Sequence, residues 1–131
     1  MADLSKGDSI PELHVTPDAG LTKRYAAASG DPNPIHTDEE FAKSVGLPST
    51  ILHGLWTMAQ VARAHTEAAG GDPRSLKRLE VQFRGMGFPE QEVVVTAEVV
   101  EAGNGTVVTE TAAEQNGNQI IRNASATIAT G

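Results

Sequence analysis

Residues 52–69 read L-H-G-L-W-T-M-A-Q-V-A-R-A-H-T-E-A-A. Leu55, Met58, Ala59 and Ala62 recur at i, i+3, i+4 and i+7, the spacing of one helix face. Gly70-Gly71 supplies the stop, and Ser49 or Thr50 can supply the N-cap. Val61, Ala64 and Ala68 carry apolar character beyond one stripe. A helix that is apolar on more than one side is ordinarily buried. The segment therefore predicts a long central helix with something wrapped around it.

The wrapping lies downstream, where the hydrophobic period drops to two. Leu79, Val81 and Phe83 alternate with Arg78, Glu80, Gln82 and Arg84, the pattern of a half-buried strand. Residues 92–100 are Val-rich, Gly103-Asn104-Gly105 is a turn, and residues 107–114 form the next strand. Asn116-Gly117 is a two-residue hairpin signal, since both positions tolerate positive φ. Residues 119–129 complete the series, with Ile120, Ala124, Ala126 and Ile128 on one face.

Upstream, residues 8–15 predict a first strand, with Pro11 at an edge or bend. Asp18 can cap a short helix over 19–28, which Gly30 ends. Residues 29–34 are dense in Ser, Gly, Asp, Pro and Asn and read as loop. Asp38 can cap a second short helix over 39–45, stopped by Gly46 and Pro48. One strand, short helices, one long helix and four successive strands make an α+β pattern. The physical solution is one curved antiparallel β-sheet wrapped around one long central α-helix. At 131 residues the chain suits a single domain spanning 1–131. Aromatics are only 4%, so small aliphatic side chains must build the core and let helix and sheet approach closely.

Ten Lys and Arg against seventeen Asp and Glu give a net charge of −7, which disfavours nucleic acid and anionic membranes as partners. No apolar run approaches the roughly 20 residues of a membrane-spanning helix. Residues 1–6 lack the basic start and apolar stretch of a secretory signal. The absence of cysteine excludes disulfides, thiolate nucleophiles and Cys-ligated metal centres, and it fits a reducing cytoplasm. No metal-ligand spacing such as H-E-x-x-H is present, so neither metal nor cofactor is expected.

Residues 25–42 read Y-A-A-A-S-G-D-P-N-P-I-H-T-D-E-E-F-A. Asp31 and His36 sit five positions apart, with Pro32, Asn33 and Pro34 between them. The prolines stiffen the loop, so an acid and an imidazole can be aimed at one point with little entropy left to lose. On its own this also fits Asp31 as a turn cap and His36 as a core histidine or helix cap.

The same segment resembles the signature of the MaoC-like, R-specific enoyl-CoA hydratase (hydratase-2) family. Tyr25, Ser29, Gly30, Asp31, Asn33, Pro34, Ile35, His36 and Ala42 fit that signature, with Ala28 as a mild departure. Leu52-His53-Gly54-Leu55 resembles the family's His-Gly start of its central helix, and Phe83-Arg84 followed by Phe88-Pro89 its later strand. Glu90-Gln91 stands where the family has Gly-Asp, and Gly85-Met86-Gly87 is unusually glycine-rich. The resemblance covers about residues 8–129. It implies the hotdog fold and hydration of trans-2-enoyl thioesters to (3R)-hydroxyacyl thioesters, or the reverse.

Within that resemblance Asp31 and His36 would hold one water, with Asp31 the proton acceptor. The Gly54 N–H at the helix start would meet charge on the thioester carbonyl. Asn33, His53, Trp56 and Arg84 are expected on the substrate side. His53 has the alternative of capping the helix, and Trp56, like Met58, that of core packing. Arg63, Lys77, Arg78 and Arg84 are candidates for the phosphates of coenzyme A or of an acyl-carrier-protein pantetheine. His14 and His65 are expected to be surface or partly buried residues. A homodimer is expected, from the open edge of a single sheet and the Val-rich Val93 to Val100 run with few gatekeeping charges. The competing readings are an accessory hotdog subunit that binds acyl thioesters without catalysis and, less well matched, a hotdog thioesterase.

Overall fold

The β-branched segments pair into one five-stranded antiparallel sheet in the computed structural model, which describes residues 4–130. Residues 1–3 and 131 lie outside the described residues, and with them the ends of the 1–131 domain and half of the 1–6 stretch. The strands are β1 (Leu13–Val15), β2 (Leu76–Phe83), β3 (Val93–Gly103), β4 (Thr106–Gln115) and β5 (Asn118–Ala129), in the order β1-β3-β4-β5-β2. The helices are α1 (Leu21–Ser29), α2 (Pro34–Thr37), α3 (Glu39–Ser44) and α4 (Gly54–Ala68). A 3-10 turn at Pro73–Ser75 leads into β2. This is the helix-in-sheet arrangement that the change of period implies.

Local chemistry sets most boundaries. Asn116 and Gly117, at φ 49° and 80°, form the tight β4–β5 hairpin. Asp38 caps α3 by accepting from the Phe41 N–H at 3.1 Å. Asp18 does not cap α1; its carboxylate accepts from Gly20 N–H and pairs with Arg24, and the helix begins at Leu21. The first strand is shorter than expected, β1 being preceded by a single bridge, Ser9 to Glu98. Asn123, at φ 47°, adds one residue to β5, so Ala113 faces Ile121 while Thr111 faces Ala124. That bulge turns Ile121 to the face of Ala124, Ala126 and Ile128, and a second register shift, between the Ala113–Ile121 and Glu114–Gln119 pairs, leaves the adjacent Ile120 buried as well.

Three expectations need correction. The face of α4 that meets the core carries Trp56, Thr57, Val61, Ala64 and His65. The predicted stripe is turned only partly toward it: Met58 packs against the core and Ala62 is half-buried, but Leu55 is 62% exposed and Ala59 is exposed. His65, expected at the surface or partly buried, is fully buried. Its Nδ1–H donates to the Val61 carbonyl at 2.8 Å, and its Nε2 accepts from the Thr109 hydroxyl at 2.7 Å. A buried imidazole with both nitrogens paired is a structural element of the helix–sheet interface. Likewise, the Val93 to Val100 run is no open edge: β3 pairs with β1 on one side and β4 on the other. The unpaired edges belong to β1 and β2.

Candidate active site

Gly30, in the left-handed region at φ 74°, ends α1 and turns the chain into the Asp31 loop. Each step of that loop is tied by a short polar contact. Asp31 N–H donates to Ser29 Oγ at 3.3 Å, Asp31 Oδ1 accepts from Asn33 N–H at 3.3 Å, and Asn33 Oδ1 accepts from Ile35 N–H at 3.2 Å. Asn33 is thereby the N-cap of α2, with Pro34 as its first residue. His36 therefore rides on a helical turn that the loop reading of 29–34 stopped short of. The fixed torsions of Pro34 and the Asn33 cap together build it.

His36 is buried and Asp31 exposed. The His36 Nδ1 lies 2.8 Å from the Ile51 carbonyl. A carbonyl only accepts, so Nδ1 carries the proton and the neutral ring presents a bare Nε2. That Nε2 stands 3.9 Å from Asp31 Oδ2. The segment before α4 is held here too: Ile51 N–H donates to Ile35 O and Leu52 N–H to Gly87 O.

His53 is the N-cap residue of α4, but its side chain makes no capping hydrogen bond. Instead the ring stacks on His36 with centroids 3.8 Å apart and planes 19° apart. The Tyr25 ring lies 4.7 Å from it, tilted by 52°. His53 Nε2 reaches the Asp31 backbone carbonyl at 3.3 Å. The helix then begins at Gly54, whose N–H belongs to the first turn and has no intrahelical partner. A side chain at Gly54 would collide with the Phe83 ring, 3.0 Å from an added Cβ. Phe83 thus roofs the helix start while remaining 51% exposed.

The Gly85-Met86-Gly87 turn has a packing reason. A Cβ on Gly85 would meet the Gln119 carbonyl oxygen at 2.6 Å, and one on Gly87 would meet Leu52 at 2.9 Å. The loop beyond is pinned by Gln115, buried at the end of β4. Its amide accepts from Phe88 N–H and donates to the Phe88 and Gln91 carbonyls. A glutamine in a strand carries no sequence signal for this, because its partners lie 24 and 27 positions away.

Asp31, His36 and His53 bring ligand atoms within 4.8 Å of one another, which raises the question of a metal. Ring nitrogens ligate along the ring plane. With the two imidazoles stacked, their lone pairs run side by side and do not converge. One nitrogen of each ring is also committed to a carbonyl. The arrangement suits proton handling better than cation binding.

The cationic candidates separate by position. Arg63 pairs with Glu67, and Arg78 with Glu80. Lys77 lines a cavity with Ala69, at the C-terminal end of α4. Arg84 follows the Phe83 that covers Gly54, and among the described residues it has no carboxylate partner. Trp56 is 9% exposed and belongs to the core cluster with Leu52, Val61 and Ile120.

Residues 6–123 match the model of the MaoC like domain. The chain belongs to the MaoC-like domain family. It is 34% identical over 103 residues to the fatty acid synthase beta subunit hexB of Dothistroma septosporum, a match covering 76% of this chain and 5% of that subunit. It is 40% identical over 87 residues to the peroxisomal enoyl-CoA hydratase 2 of Arabidopsis thaliana, covering 66% of this chain and 27% of the plant protein. The chain thus spans only a small part of these relatives. The (R)-hydratase from A. caviae involved in PHA biosynthesis superposes with a TM-score of 0.88 over 100% of both chains at 20% identity, which establishes the shared hotdog fold. In this MaoC-like domain the family's G-D-x-N-P-x-H run is the segment that folds into the Asp31 loop and α2.

Proposed function

We propose that this MaoC-like domain hydrates trans-2-enoyl thioesters to (3R)-hydroxyacyl thioesters, or catalyses the reverse dehydration. The observation that carries the reading is the pair of facing acceptors. An ionised Asp31 carboxylate and the bare Nε2 of His36 stand 3.9 Å apart and cannot bond each other. A single water donating to both satisfies them, since acceptors sharing one water at ~2.8 Å lie ~4.4 Å apart.

Water is a poor nucleophile, and the pair supplies what it lacks. Asp31 takes a proton as the water oxygen bonds to C3, with His36 orienting the same water. The C2=C3 electrons move toward the thioester carbonyl, and the Gly54 N–H at the helix start meets the developing charge. The proton then passes from the pair to C2, which returns Asp31 and His36 to their starting state. Asn33 braces the loop, and Arg84, without a carboxylate partner among the described residues, is the cation assigned in this reading to a phosphate of coenzyme A or a carrier pantetheine. The test is loss of the enoyl absorbance of crotonyl-CoA with chiral analysis of the product. Accumulation of the (3R)-alcohol is expected. Free thiol release without hydration would replace this reading with a thioesterase, and inertness toward the enoyl thioester with the accessory subunit.

The functional unit in this reading is a homodimer. The outer edge of β2 is unpaired in the sheet, and exposed Leu55, Phe83 and Met86 come from the segments that meet beside it at the start of α4. An unpaired strand next to exposed apolar groups is relieved by association.

A further inference from the structure

We propose that His53 is a positioning residue of this site, holding the Asp31 backbone through Nε2–H and the His36 ring through its face. The inference rests on the hydration reading for its kinetic consequence, while its geometry stands independently. An N-cap position favours Ser, Thr, Asp or Asn because their side chains satisfy free helix N–H groups. His53 occupies that position and forgoes the bond. Its ring is spent elsewhere, and both of its contacts lead to the acceptor pair.

The first contact fixes a tautomer. The Asp31 carbonyl only accepts, so the nitrogen 3.3 Å away must donate. That hydrogen bond ties the start of α4 to the loop residue whose carboxylate takes the proton. The second contact is the 3.8 Å stack on His36. His36 is held at Nδ1 by Ile51. One hydrogen bond leaves a ring free to swing about it, and the His53 face on one side removes that freedom. The tilted Tyr25 ring, 4.7 Å from His53, packs against it as well. His53 therefore fixes both members of the 3.9 Å pair: Asp31 through its main chain and His36 through its ring. It is 3% exposed, and these two contacts require no role for it in gripping substrate.

Two variants of the full chain divide the contacts. His53→Phe keeps an aromatic face and removes the donor. His53→Gln keeps an N–H donor and removes the stack. Each is expected to lower kcat on crotonyl-CoA by about 10–100-fold, the scale of a misplaced catalytic group, with KM changed by less than about 2-fold. In an Asp31→Asn background, His53→Phe should add less than about 3-fold, because a residue that acts through Asp31 loses its lever when the base is gone. A rise in KM with kcat intact would overturn the proposal in favour of substrate contact. A full multiplicative effect in the Asp31→Asn background would overturn it in favour of a general structural role. Long-range ¹H–¹⁵N correlation spectra of the unliganded protein decide the geometry without turnover. The expected result is His53 protonated at Nε2 and His36 at Nδ1, with the His36 signals displaced in His53→Phe. His53 protonated at Nδ1 overturns the proposal whatever reaction the chain performs. A wild-type protein that hydrates nothing yet shows the expected tautomers defeats the hydration reading and leaves the placement of His53 standing.

Discussion

His36 Nε2 and Asp31 Oδ2 face each other at 3.9 Å without a hydrogen bond between them. The spacing follows from three separate anchors: Asn33 capping α2, the Ile51 carbonyl on His36 Nδ1, and the His53 donor on the Asp31 main chain. A direct ion pair would consume the acceptors. Held apart, they remain available to one small donor molecule.

Because both acceptors act on the same water, their substitutions should not multiply. Asp31→Asn and His36→Ala are each expected to lower kcat on crotonyl-CoA by about 10²–10⁴-fold. The double variant should fall little further than the worse single variant. Steady-state kinetics of the four proteins, with circular dichroism as the folding control, checks this. An Asp31→Asn enzyme that keeps more than about a tenth of wild-type kcat would remove the loop from catalysis.

Gly54 is predicted to be better replaced together with Phe83 than alone. An added methyl at Gly54 meets the Phe83 ring at 3.0–3.2 Å, so Gly54→Ala must push the ring or the helix start aside. The ring has to give by only a few tenths of an ångström, so kcat should fall by less than the roughly 10² that a 1 Å misplacement costs. Gly54→Ala/Phe83→Ala restores the space and should recover part of kcat. Failure of the second substitution to recover any activity would place the clash elsewhere.

Thr57 offers a stabilising change. Its hydroxyl is buried one turn into α4 with no hydrogen-bond partner among the described residues. An unsatisfied buried hydroxyl costs about 1–3 kcal/mol, and valine has nearly the same shape. Thr57→Val should therefore raise Tm by a few degrees, as ~1 kcal/mol does for a domain of this size. Differential scanning calorimetry reads the sign directly, and a lower Tm would contradict the packing described here.

His65 predicts a pH dependence of stability. Burial pushes its imidazole below the ordinary value, against a weaker upward pull from the Val61 carbonyl. The folded protein therefore holds this histidine neutral where the unfolded chain protonates it. Its contribution is complete above the unfolded value near ~6.5 and is lost as pH falls toward the lower folded value. His65→Ala leaves a cavity and an orphaned Thr109 hydroxyl, and should cost about 2–5 kcal/mol. His65→Leu/Thr109→Val removes both polar groups together, which is close to neutral for a matched pair. Thermal melts at pH 7.5 and 5.5 should show a smaller acid loss for the double variant than for wild type. His14 shifts the other way, raised first by Glu92 and then by Glu12, but it is exposed and common to both proteins.

Light scattering at micromolar concentration should give twice the 13.7 kDa chain mass. Glutamate in place of exposed Leu55 should shift the protein toward the monomer. A wild-type mass near one chain would defeat the dimer.

Much of the site was legible because it is local. The loop bonds among Ser29, Asp31, Asn33 and Ile35 span two residues each, so short-range chemistry written in G-D-P-N-P-I-H builds them. The turn at Asn116-Gly117 and the Asp38 cap are local in the same sense. The buried face of α4 was legible only in part, through Val61 and Ala64. Two stripes of helical period coexist there, and hydropathy favours Leu55, Met58, Ala59 and Ala62 over one containing Thr57 and His65. His65 can be buried only because Thr109, 44 positions away, supplies its second hydrogen bond.

From the sequence alone came the element types, the period that wraps a sheet around a helix, and the stiff loop carrying Asp31 and His36. Torsional preferences and hydrogen bonds within a few residues determine these. Tertiary structure alone decided that β2 lies beside β5 and leaves its edge open, that His53 turns from its cap to stack on His36, and that Phe83 closes over Gly54. Each of these depends on a free-energy balance between segments distant in the chain, where burial of one surface is favourable only if a complementary one arrives to meet it.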